Sequence, residues 1–296
     1  MAFCIFSQRA MPKSSHLSSL ISLFFMQLSA FSLPNGITEP VTCDGHVHTY
    51  LCRHAVGTME EYVRAAVQKG LQTITFLEHM EAGIQYPFCT WLKKADFDLY
   101  WEEGKRLQKA YHSIIAVKLG VELGYNPNAS SALEEALIFF PWDIIGLSCH
   151  FYPHEGRHYN MLSQKGESIE KLAGIGSEKV LSWYLDALKE GVERLNCTVL
   201  CHLDAALRHL PGVDYQEKHA EKVMALLQAV HKKGMALEIN TSGYHYRGHP
   251  FPADWIILKA VEMGIRLAPG SDAHRPEDVG RYFSELPAYL QALSAQ

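Results

Sequence analysis

The chain has 296 residues, of which 48% are hydrophobic and 20% are charged, as is ordinary for a globular protein. This length fills one large barrel domain or two smaller domains. The net charge of −5 excludes the broad basic surface of a typical nucleic-acid binder. Seven cysteines, an odd number without a Cys-x-x-Cys pair, favour reduced thiols over a disulfide framework and do not support a four-cysteine zinc site.

The N-terminal 38 residues differ from the rest of the chain. A basic start precedes an apolar stretch over residues 17–33, as in a signal peptide, but the small residues there are not spaced for cleavage. We interpret residues 1–38 as a disordered extension, or as the result of a misassigned start with initiation at Met11 or Met26. This interpretation predicts a cytoplasmic protein, whereas a signal peptide would predict export. No other apolar run is long enough to span a bilayer, so stable membrane association is not expected.

From residue 39 to the end, short apolar runs alternate with amphipathic stretches. Strands are predicted at 41–43, 73–77, 116–121, 144–149, 198–201, 236–239 and 265–269. Helices are predicted from the capping box at Thr58 to Gly70, and near 95–112, 130–138, 177–191, 214–233, 253–263 and 276–293, with a linker at 171–176. This alternation predicts a single parallel, barrel-like α/β domain over residues 39–296, with one strand fewer than the usual eight.

Most of the predicted strands end in residue types that bind metals. His46 and His48 are two apart, so an extended strand points both imidazoles to one side. Asp272 and His274 repeat that spacing at the other end of the chain, and a closing barrel would place the two pairs side by side. The remaining candidates at strand ends or on the first loop are His54, His79, Glu122, His150 and His202. A single histidine of this kind is commonly a core residue, but a series predicts a metal site on one rim.

A family resemblance rests on seven stretches of the sequence. They are Asp44-Gly45-His46-Val47-His48-Thr49, Cys52-Arg53-His54-Ala55-Val56-Gly57-Thr58, Gly120-Val121-Glu122-Leu123-Gly124-Tyr125, Gly146-Leu147-Ser148-Cys149-His150-Phe151, Cys201-His202-Leu203-Asp204, Glu238-Ile239-Asn240-Thr241-Ser242-Gly243 and Gly270-Ser271-Asp272-Ala273-His274. Over about residues 41–285 the chain resembles the PHP (polymerase and histidinol phosphatase) superfamily of metal-dependent phosphoesterases. Within it, the loops resemble the monofunctional histidinol-phosphatase branch.

The resemblance implies a distorted seven-stranded, TIM-like β/α barrel that holds two to three divalent ions of zinc, iron or manganese. The implied ligands are His46, His48, Glu122 and Asp272 for the first metal, Glu122, His150 and His202 for the second, and His79, His274 and His54 for the third. Glu122 is expected to bridge two metals, since its carboxylate has two oxygens. The residue types do not choose among the three metals.

Positive charge beyond the metals is expected to bind the substrate's phosphate. Arg208, six residues after His202, has a guanidinium that can fork two phosphate oxygens. It is the preferred candidate because the family that this chain resembles places an arginine near that position. Arg247 and Arg275 lie on other predicted rim loops and are the alternatives. Asp44 is predicted to orient a metal-binding histidine from behind. Either His202 or a metal-bound water is expected to protonate the leaving group.

The activity implied is hydrolysis of the phosphomonoester L-histidinol phosphate to L-histidinol and phosphate by a metal-bound water, a step of histidine biosynthesis. Acidic residues near the rim, Glu78, Glu81 and Asp204, are candidates to hold the substrate's amine. One alternative is a PHP enzyme that acts on a nucleotide or another small phosphate ester. Another is a non-catalytic PHP scaffold, which is expected to have lost ligands. The partner expected is a small phosphorylated substrate and not nucleic acid, and a homo-oligomer is compatible with this reading.

Overall fold

The structure is a computed structural model that describes residues 40–210, 212–213, 215 and 219–295. The strands are β1 (Cys43–Val47), β2 (Thr73–Glu81), β3 (Ala116–Gly124), β4 (Ile144–Ser148), β5 (Phe151–His154), β6 (Arg157–Asn160), β7 (Val199–Leu200), β8 (Ala236–Asn240) and β9 (Leu267–Gly270). The α-helices are α1 (Met59–Gln68), α2 (Lys94–Ala110), α3 (Ser130–Leu137), α4 (Gly166–Ile175), α5 (Ser177–Arg194), α6 (Ala220–Lys233), α7 (Gly243–Arg247), α8 (Asp254–Glu262) and α9 (Leu286–Ser294).

Seven parallel strands form one sheet in the order β1-β2-β3-β4-β7-β8-β9. The longest pairing joins β2 to β3 over nine residue pairs. The first and last strands meet at their carboxyl ends, where Val47 bridges Ala273 and His48 N donates to Ala273 O at 2.9 Å. The sheet is therefore nearly closed, which confirms the predicted seven-stranded α/β barrel.

The side chains inside the barrel differ from those outside it. The interior cluster consists of small or branched side chains on, or directly after, strands β2, β4, β7, β8 and β9. They are Leu77, Ile144, Val199, Cys201, Ala236 and Ala268. Outside, helix faces pack on the sheet, as where the ring of Tyr62 meets Phe76 at a centroid distance of 6.3 Å. Helix α1 begins at the predicted capping box, in which Thr58 N donates to Glu61 Oε2 at 2.6 Å.

Two element predictions are wrong. The segment 276–293 is not one helix: a 3₁₀ turn at Pro276–Asp278 precedes α9, because Gly280 and Tyr282 adopt φ values of 61° and 58° that no right-handed helix contains. The predicted linker at 171–176 is the end of helix α4, and the chain leaves the helix only at Gly176, whose φ is 100°. The β5–β6 hairpin and the short helix α7 were not predicted, although the two-residue turn Glu155-Gly156, with φ values of 50° and 73°, is typical of a hairpin.

The remaining predictions on organisation concern the termini and cysteines. The extension at 1–38 lies outside the described residues, as do positions 214 and 216–218 of the predicted helix at 214–233. No helix in the described part of the chain is long and apolar enough to cross a bilayer. All six cysteines that the structure describes are free thiols, and five of them are buried, as predicted.

Candidate active site

The nine predicted metal ligands form one cluster at the carboxyl ends of the barrel strands. Each of them lies against at least one other member, and they come from β1, β2, β3 and the segments that follow β1, β4, β7 and β9. Parallel strands deliver all of their carboxyl ends to one rim, so residues distant in sequence meet there. The rim predicted from the strand endings is thus where the structure brings these side chains together.

Glu122, at the rim end of β3, lies at the centre of the cluster. Its Oε1 is 2.8 Å from His202 Nε2 and 3.1 Å from His150 Nε2. Its Oε2 is 2.9 Å from His79 Nδ1 and 3.5 Å from His46 Nε2. Burial would raise the pKa of this carboxyl, but the neighbouring imidazoles of His150, His79 and His46 outweigh burial and hold the pKa well below its usual value. A fully buried carboxylate therefore stays ionised, with histidines on both of its oxygens.

The first group of potential ligands combines β1 with the segment after β9. His46 Nε2 lies 2.9 Å from His48 Nε2, as the i, i+2 spacing predicts. Asp272 Oδ1 is 3.3 Å from His48 Nε2 and 3.9 Å from His46 Nε2. Asp272 adopts a φ of 52°, and Arg281 Nη2 donates to its carbonyl oxygen at 3.2 Å. The contact between β1 and the segment after β9, where the barrel closes, thus places the two predicted pairs side by side.

A second group of imidazoles lies toward the outside of the cluster. His48 stacks on His79 and His274, with ring centroids 4.2 Å and 4.4 Å apart. His54 Nε2 lies 2.8 Å from His274 Nε2, so the first loop does bring His54 to the rim. Burial, followed by the nearby imidazoles, lowers the pKa of His54 to about 3, and burial lowers that of His274 to about 4. These rings are neutral at pH 7, and the neutral imidazole is the form that binds metals.

The donor set fits divalent metal ions. Two pairs of imidazole nitrogens, His46 with His48 and His54 with His274, face each other across less than 3 Å. Glu122 Oε2 and His48 Nδ1 are buried and accept or donate no hydrogen bond of good geometry within the described part of the chain. Three sets of three ligand atoms within 4.8 Å of one another are His48-His79-His274, His46-Glu122-His202 and His46-His48-Asp272. Imidazole and carboxylate donors of this kind suit zinc, iron or manganese.

Three glutamates lie behind the potential ligands, and two of them, Glu238 and Glu81, contact the far nitrogen of an imidazole. Glu238 Oε1 is 2.7 Å from His46 Nδ1, and Glu81 Oε1 is 2.6 Å from His150 Nδ1. Glu78 Oε2 is 3.9 Å from His48 Nδ1, Thr49 Oγ1 donates to Glu78 Oε1, and burial raises the pKa of Glu78 to about 8.

Glu78 and Glu81 were predicted to lie near the rim beyond a strand at 73–77, and the strand β2 itself runs on to Glu81. The role of Glu238 was missed, although alternation along β8 would have placed it on the same face as Asn240.

Asp44 contacts the potential ligand His46 through the backbone amide of that residue and not through its imidazole. No imidazole among the described residues hydrogen-bonds to its carboxylate. Instead Asp44 Oδ1 accepts from Ser271 N at 3.0 Å and, at 3.3 Å, from His46 N. Its Oδ2 accepts from Ser271 Oγ at 2.6 Å and from Gly280 N at 2.8 Å. Asp44 therefore ties the first strand to the backbone after the last one, which closes the barrel beneath the ligands.

The three candidate arginines have different environments. Arg208 stacks over Tyr246, 4.4 Å from the guanidinium carbon to the ring centroid. Its Nε and Nη1 are buried and find no hydrogen-bond partner in the ranges that the structure describes. Arg247 Nη1 instead donates to Asp204 Oδ2 at 2.8 Å. Arg275 is exposed, and its closest carboxylate oxygen, on Glu277, is 3.8 Å away. Arg208 therefore keeps two buried donors without a partner among the described residues, whereas Arg247 keeps only its Nε and is otherwise paired.

Asp204 is not a free carboxylate at the rim. It is 4% exposed, and Ala253 N donates to its Oδ2 at 2.8 Å, on the same oxygen that Arg247 contacts. Its negative charge is already compensated by a guanidinium and a backbone amide. The prediction that Asp204 is available to hold the substrate's amine is therefore wrong.

A hairpin and a loop border the cluster on the β2–β4 side. The β5–β6 hairpin follows His150 directly, and His158 N donates to Gln85 O at 2.9 Å while Gln85 N donates to His158 Nδ1 at 3.0 Å. The ring of Phe151 packs against Tyr86 at a centroid distance of 5.1 Å. Aromatic side chains thus stand next to the ligands on this side.

Comparison with known proteins agrees with this geometry. The PHP domain family matches residues 44–242. A Deinococcus radiodurans protein named "probable histidinol-phosphatase" is 31% identical over 249 residues, which cover 82% of this chain and 90% of the relative. The histidinol-phosphatase of Bacillus subtilis is 27% identical over 259 residues, which cover 80% of this chain and 95% of that enzyme.

Solved structures share the fold. A Listeria monocytogenes protein assigned to the histidinol phosphatases superposes with a TM-score of 0.75 at 24% identity, over 82% of this chain and 99% of that one. A histidinol phosphate phosphatase from Lactococcus lactis, solved with zinc, L-histidinol and phosphate, gives 0.66 at 21% identity, over 84% of this chain and 93% of that one. The family match and the Deinococcus relative show that this chain belongs to the PHP domain family, in its histidinol-phosphatase branch.

Proposed function

We propose that the chain is a metal-dependent phosphomonoesterase that hydrolyses L-histidinol phosphate to L-histidinol and phosphate. The observation that carries this proposal is the cluster around Glu122, where all nine potential ligands meet on one rim. A scaffold that had lost catalysis would have no reason to keep this costly group of buried polar side chains. The choice of alcohol is supported by the relatives from Deinococcus radiodurans and Bacillus subtilis, which carry histidinol-phosphatase names.

The proposed ligand sets are those that the resemblance to the PHP family implies, and their members all lie in this one cluster. His46, His48, Glu122 and Asp272 hold one ion, Glu122, His150 and His202 hold a second, and His79, His274 and His54 hold a third. Bound divalent ions would supply Lewis-acid chemistry, making water nucleophilic near neutral pH and offsetting charge on the phosphoryl oxygens. Glu122 is shared between two of the sets because each of its oxygens faces different imidazoles.

Two residues of the chain are proposed to act on the substrate. Arg208 binds phosphate oxygens with the buried donors that lack protein partners in the described structure, and the stacking on Tyr246 fixes its plane. His202 would bind a metal through Nε2, the nitrogen 2.8 Å from Glu122 Oε1, and a coordinated nitrogen would have no proton to release. Its Nδ1 is buried and has no hydrogen-bond partner among the described residues. This nitrogen is the atom from which His202 would protonate the leaving alcohol.

The proposed substrate is tested by comparing kcat/KM for L-histidinol phosphate, nucleotides and sugar phosphates with the metal-loaded protein. Glu122→Gln, purified in parallel, measures the background from contaminating phosphatases. L-Histidinol phosphate is expected to be preferred by at least tenfold, or about 1.4 kcal/mol of discrimination. A nucleotide preferred by the same margin would overturn the substrate and leave the metal centre intact. Equal, background-level rates for wild type and Glu122→Gln on every ester would overturn the enzymatic function.

A further inference from the structure

A buried carboxylate on β8 lies beneath the cluster and outside all three proposed ligand sets. We infer that Glu238 is a positioning residue that fixes which nitrogen of His46 faces the metals and also anchors the backbone of His202. The inference rests on the proposed metal centre but not on the identity of the substrate. Glu238 is 2% exposed, so its charge is held by neighbouring groups and not by water.

The contacts of Glu238 use both of its oxygens. Oε1 lies 2.7 Å from His46 Nδ1. Oε2 accepts from His202 N at 2.7 Å and from Asn240 Nδ2 at 3.1 Å. Asn240 is held in turn, since its Oδ1 accepts from Ser242 N at 3.0 Å. One carboxylate therefore joins a side chain on β1 to a backbone amide after β7.

The contact with His46 determines where the lone pair of that imidazole points. An ionised carboxylate only accepts hydrogen bonds, so His46 Nδ1 carries the proton. The lone pair then belongs to Nε2, which faces His48, Glu122 and Asp272. Carboxylates that bind the far nitrogen of a metal-binding histidine fix its tautomer and orientation in this way.

The contact with His202 acts on the backbone. His202 has a φ of 23°, which is uncommon for a residue with a side chain. The bond from its amide to Glu238 Oε2 anchors the chain where it turns from β7 into the rim loop. His202 Nε2 then reaches Glu122 Oε1 at 2.8 Å. Glu238 thus supports potential ligands of two different metal ions.

The neighbouring strand leaves room for this arrangement. A Cβ atom at Gly270 of β9 would lie 2.3 Å from Glu238 Oε1 and 2.8 Å from His46 Cβ. Any side chain there would displace the carboxylate or the imidazole. A glycine at 270 is therefore required by the Glu238–His46 pair.

Glu238→Gln tests the inference, because the substitution keeps the size of the side chain and changes its hydrogen bonding. His202 N and Asn240 Nδ2 are both donors and would face the amide oxygen. The amide NH₂ would then face His46 Nδ1 and force the proton of that ring onto Nε2, the nitrogen meant for the metal. Aspartate is shorter but still only accepts hydrogen bonds. If Glu238 fixes the tautomer of His46, metal affinity should fall in the order wild type, Glu238→Asp, Glu238→Gln. If Glu238 only fills space, Glu238→Gln should lose less metal affinity than Glu238→Asp.

The experiment titrates chelator-treated full-length protein with Co²⁺ alone, following the d–d absorption and the stoichiometry, with no substrate present. Glu238→Gln is expected to lose about 10–100-fold in affinity for the ions that His46 and His202 bind. Glu190→Gln, where the carboxylate lies outside the cluster and accepts from Tyr125 Oη, is the control and should bind as wild type does. Wild-type affinity in Glu238→Gln, or Gln binding more tightly than Asp, would overturn the inference.

Folding is checked by cooperative thermal unfolding of each metal-free variant. If Glu238→Gln has no folded state, Glu238→Asp decides: affinity within tenfold of wild type supports the inference, and a loss beyond 100-fold contradicts it. Absence of Co²⁺ binding by the wild type itself would mean that the metal centre is wrong. A change of substrate would leave every one of these titrations unaltered, so the two failures are distinguishable.

Discussion

The ligand cluster and the rim loops differ in how firmly the fold fixes their side chains. In the cluster, Glu122 and its histidines are placed by strand ends and contact one another at about the distances of a hydrogen bond. On the loops, three arginines of equal charge have three different environments: Arg208 is stacked and has unused donors, Arg247 is paired with Asp204, and Arg275 is exposed. Residues at the ends of parallel strands all lie at one rim of the barrel, whereas the position of each loop residue depends on its own contacts.

Substituting the centre of the cluster is expected to have the largest effect. Glu122→Gln keeps the shape of the side chain and removes the negative charge shared by the ligand sets. Since losing an outer-shell partner costs about 10–100-fold, losing this bridging ligand should lower kcat by more than 100-fold and reduce metal content by at least one ion per chain. Metal analysis and kinetics on the same sample measure both. Wild-type turnover in Glu122→Gln would break the distinction between cluster and loops.

The second largest effect is expected from Arg247→Ala, which should lower the free energy of unfolding. The substitution leaves the buried Asp204 carboxylate without its guanidinium partner, and breaking a buried pair in this way costs about 3–5 kcal/mol. Denaturant unfolding of the metal-loaded protein gives the free energy of unfolding. The control is Arg275→Ala, which removes an exposed charge and should change stability by less than about 0.5 kcal/mol. Equal stability of the two variants would show that Arg247 is not held as a structural partner.

Arg208→Met sharpens the contrast between the two buried arginines. Methionine keeps apolar contact with Tyr246 and removes donors that have no partner among the described residues. The fall in kcat/KM should correspond to a loss of about 2–4 kcal/mol of transition-state stabilisation, by analogy with a lost oxyanion donor. The free energy of unfolding should stay the same or rise. Arg208→Lys should also be impaired, because it loses the bidentate fork. Undiminished kcat/KM in Arg208→Met would move the phosphate contact to another residue.

The smallest effect is expected from removing the N-terminal extension. Residues 1–38 precede β1 and supply none of the proposed ligands. A chain that starts at Gly36 should therefore keep turnover within about twofold of the full chain, as for changes away from the core. Steady-state kinetics on both proteins decide this. A tenfold loss in kcat would place the extension against the barrel or the site.

The sequence predicted the cluster well because strand ends obey simple geometry. The spacing of His46 and His48 was enough to place both on one side of β1, and barrel closure was enough to bring Asp272 beside them. The role of the buried glutamate on β8 was missed because its partner nearby in the sequence, the Asn240 amide, does not by itself indicate a site. Its other two partners, His46 and the His202 amide, are 192 and 36 residues away.

Loops and turns were less predictable. Asp44 was expected to orient a histidine, and its carboxylate accepts from the backbone of His46, Ser271 and Gly280, contacts that exist only once the first and last strands have met. Gly280 and Tyr282 adopt positive φ values, which divide the C-terminal segment that was predicted as one helix. Tertiary contacts overrode local pattern at both positions.

Metal content is the measurement that tests the account most directly. Elemental analysis of protein purified without chelators should find about two to three transition-metal ions per chain, as expected for a cluster that shares one carboxylate. Removing them with a chelator should abolish phosphatase activity, and adding divalent metal should restore it. A wild-type chain that binds no transition metal, with activity that chelators do not change, would contradict the assignment of the Glu122 cluster as a metal centre.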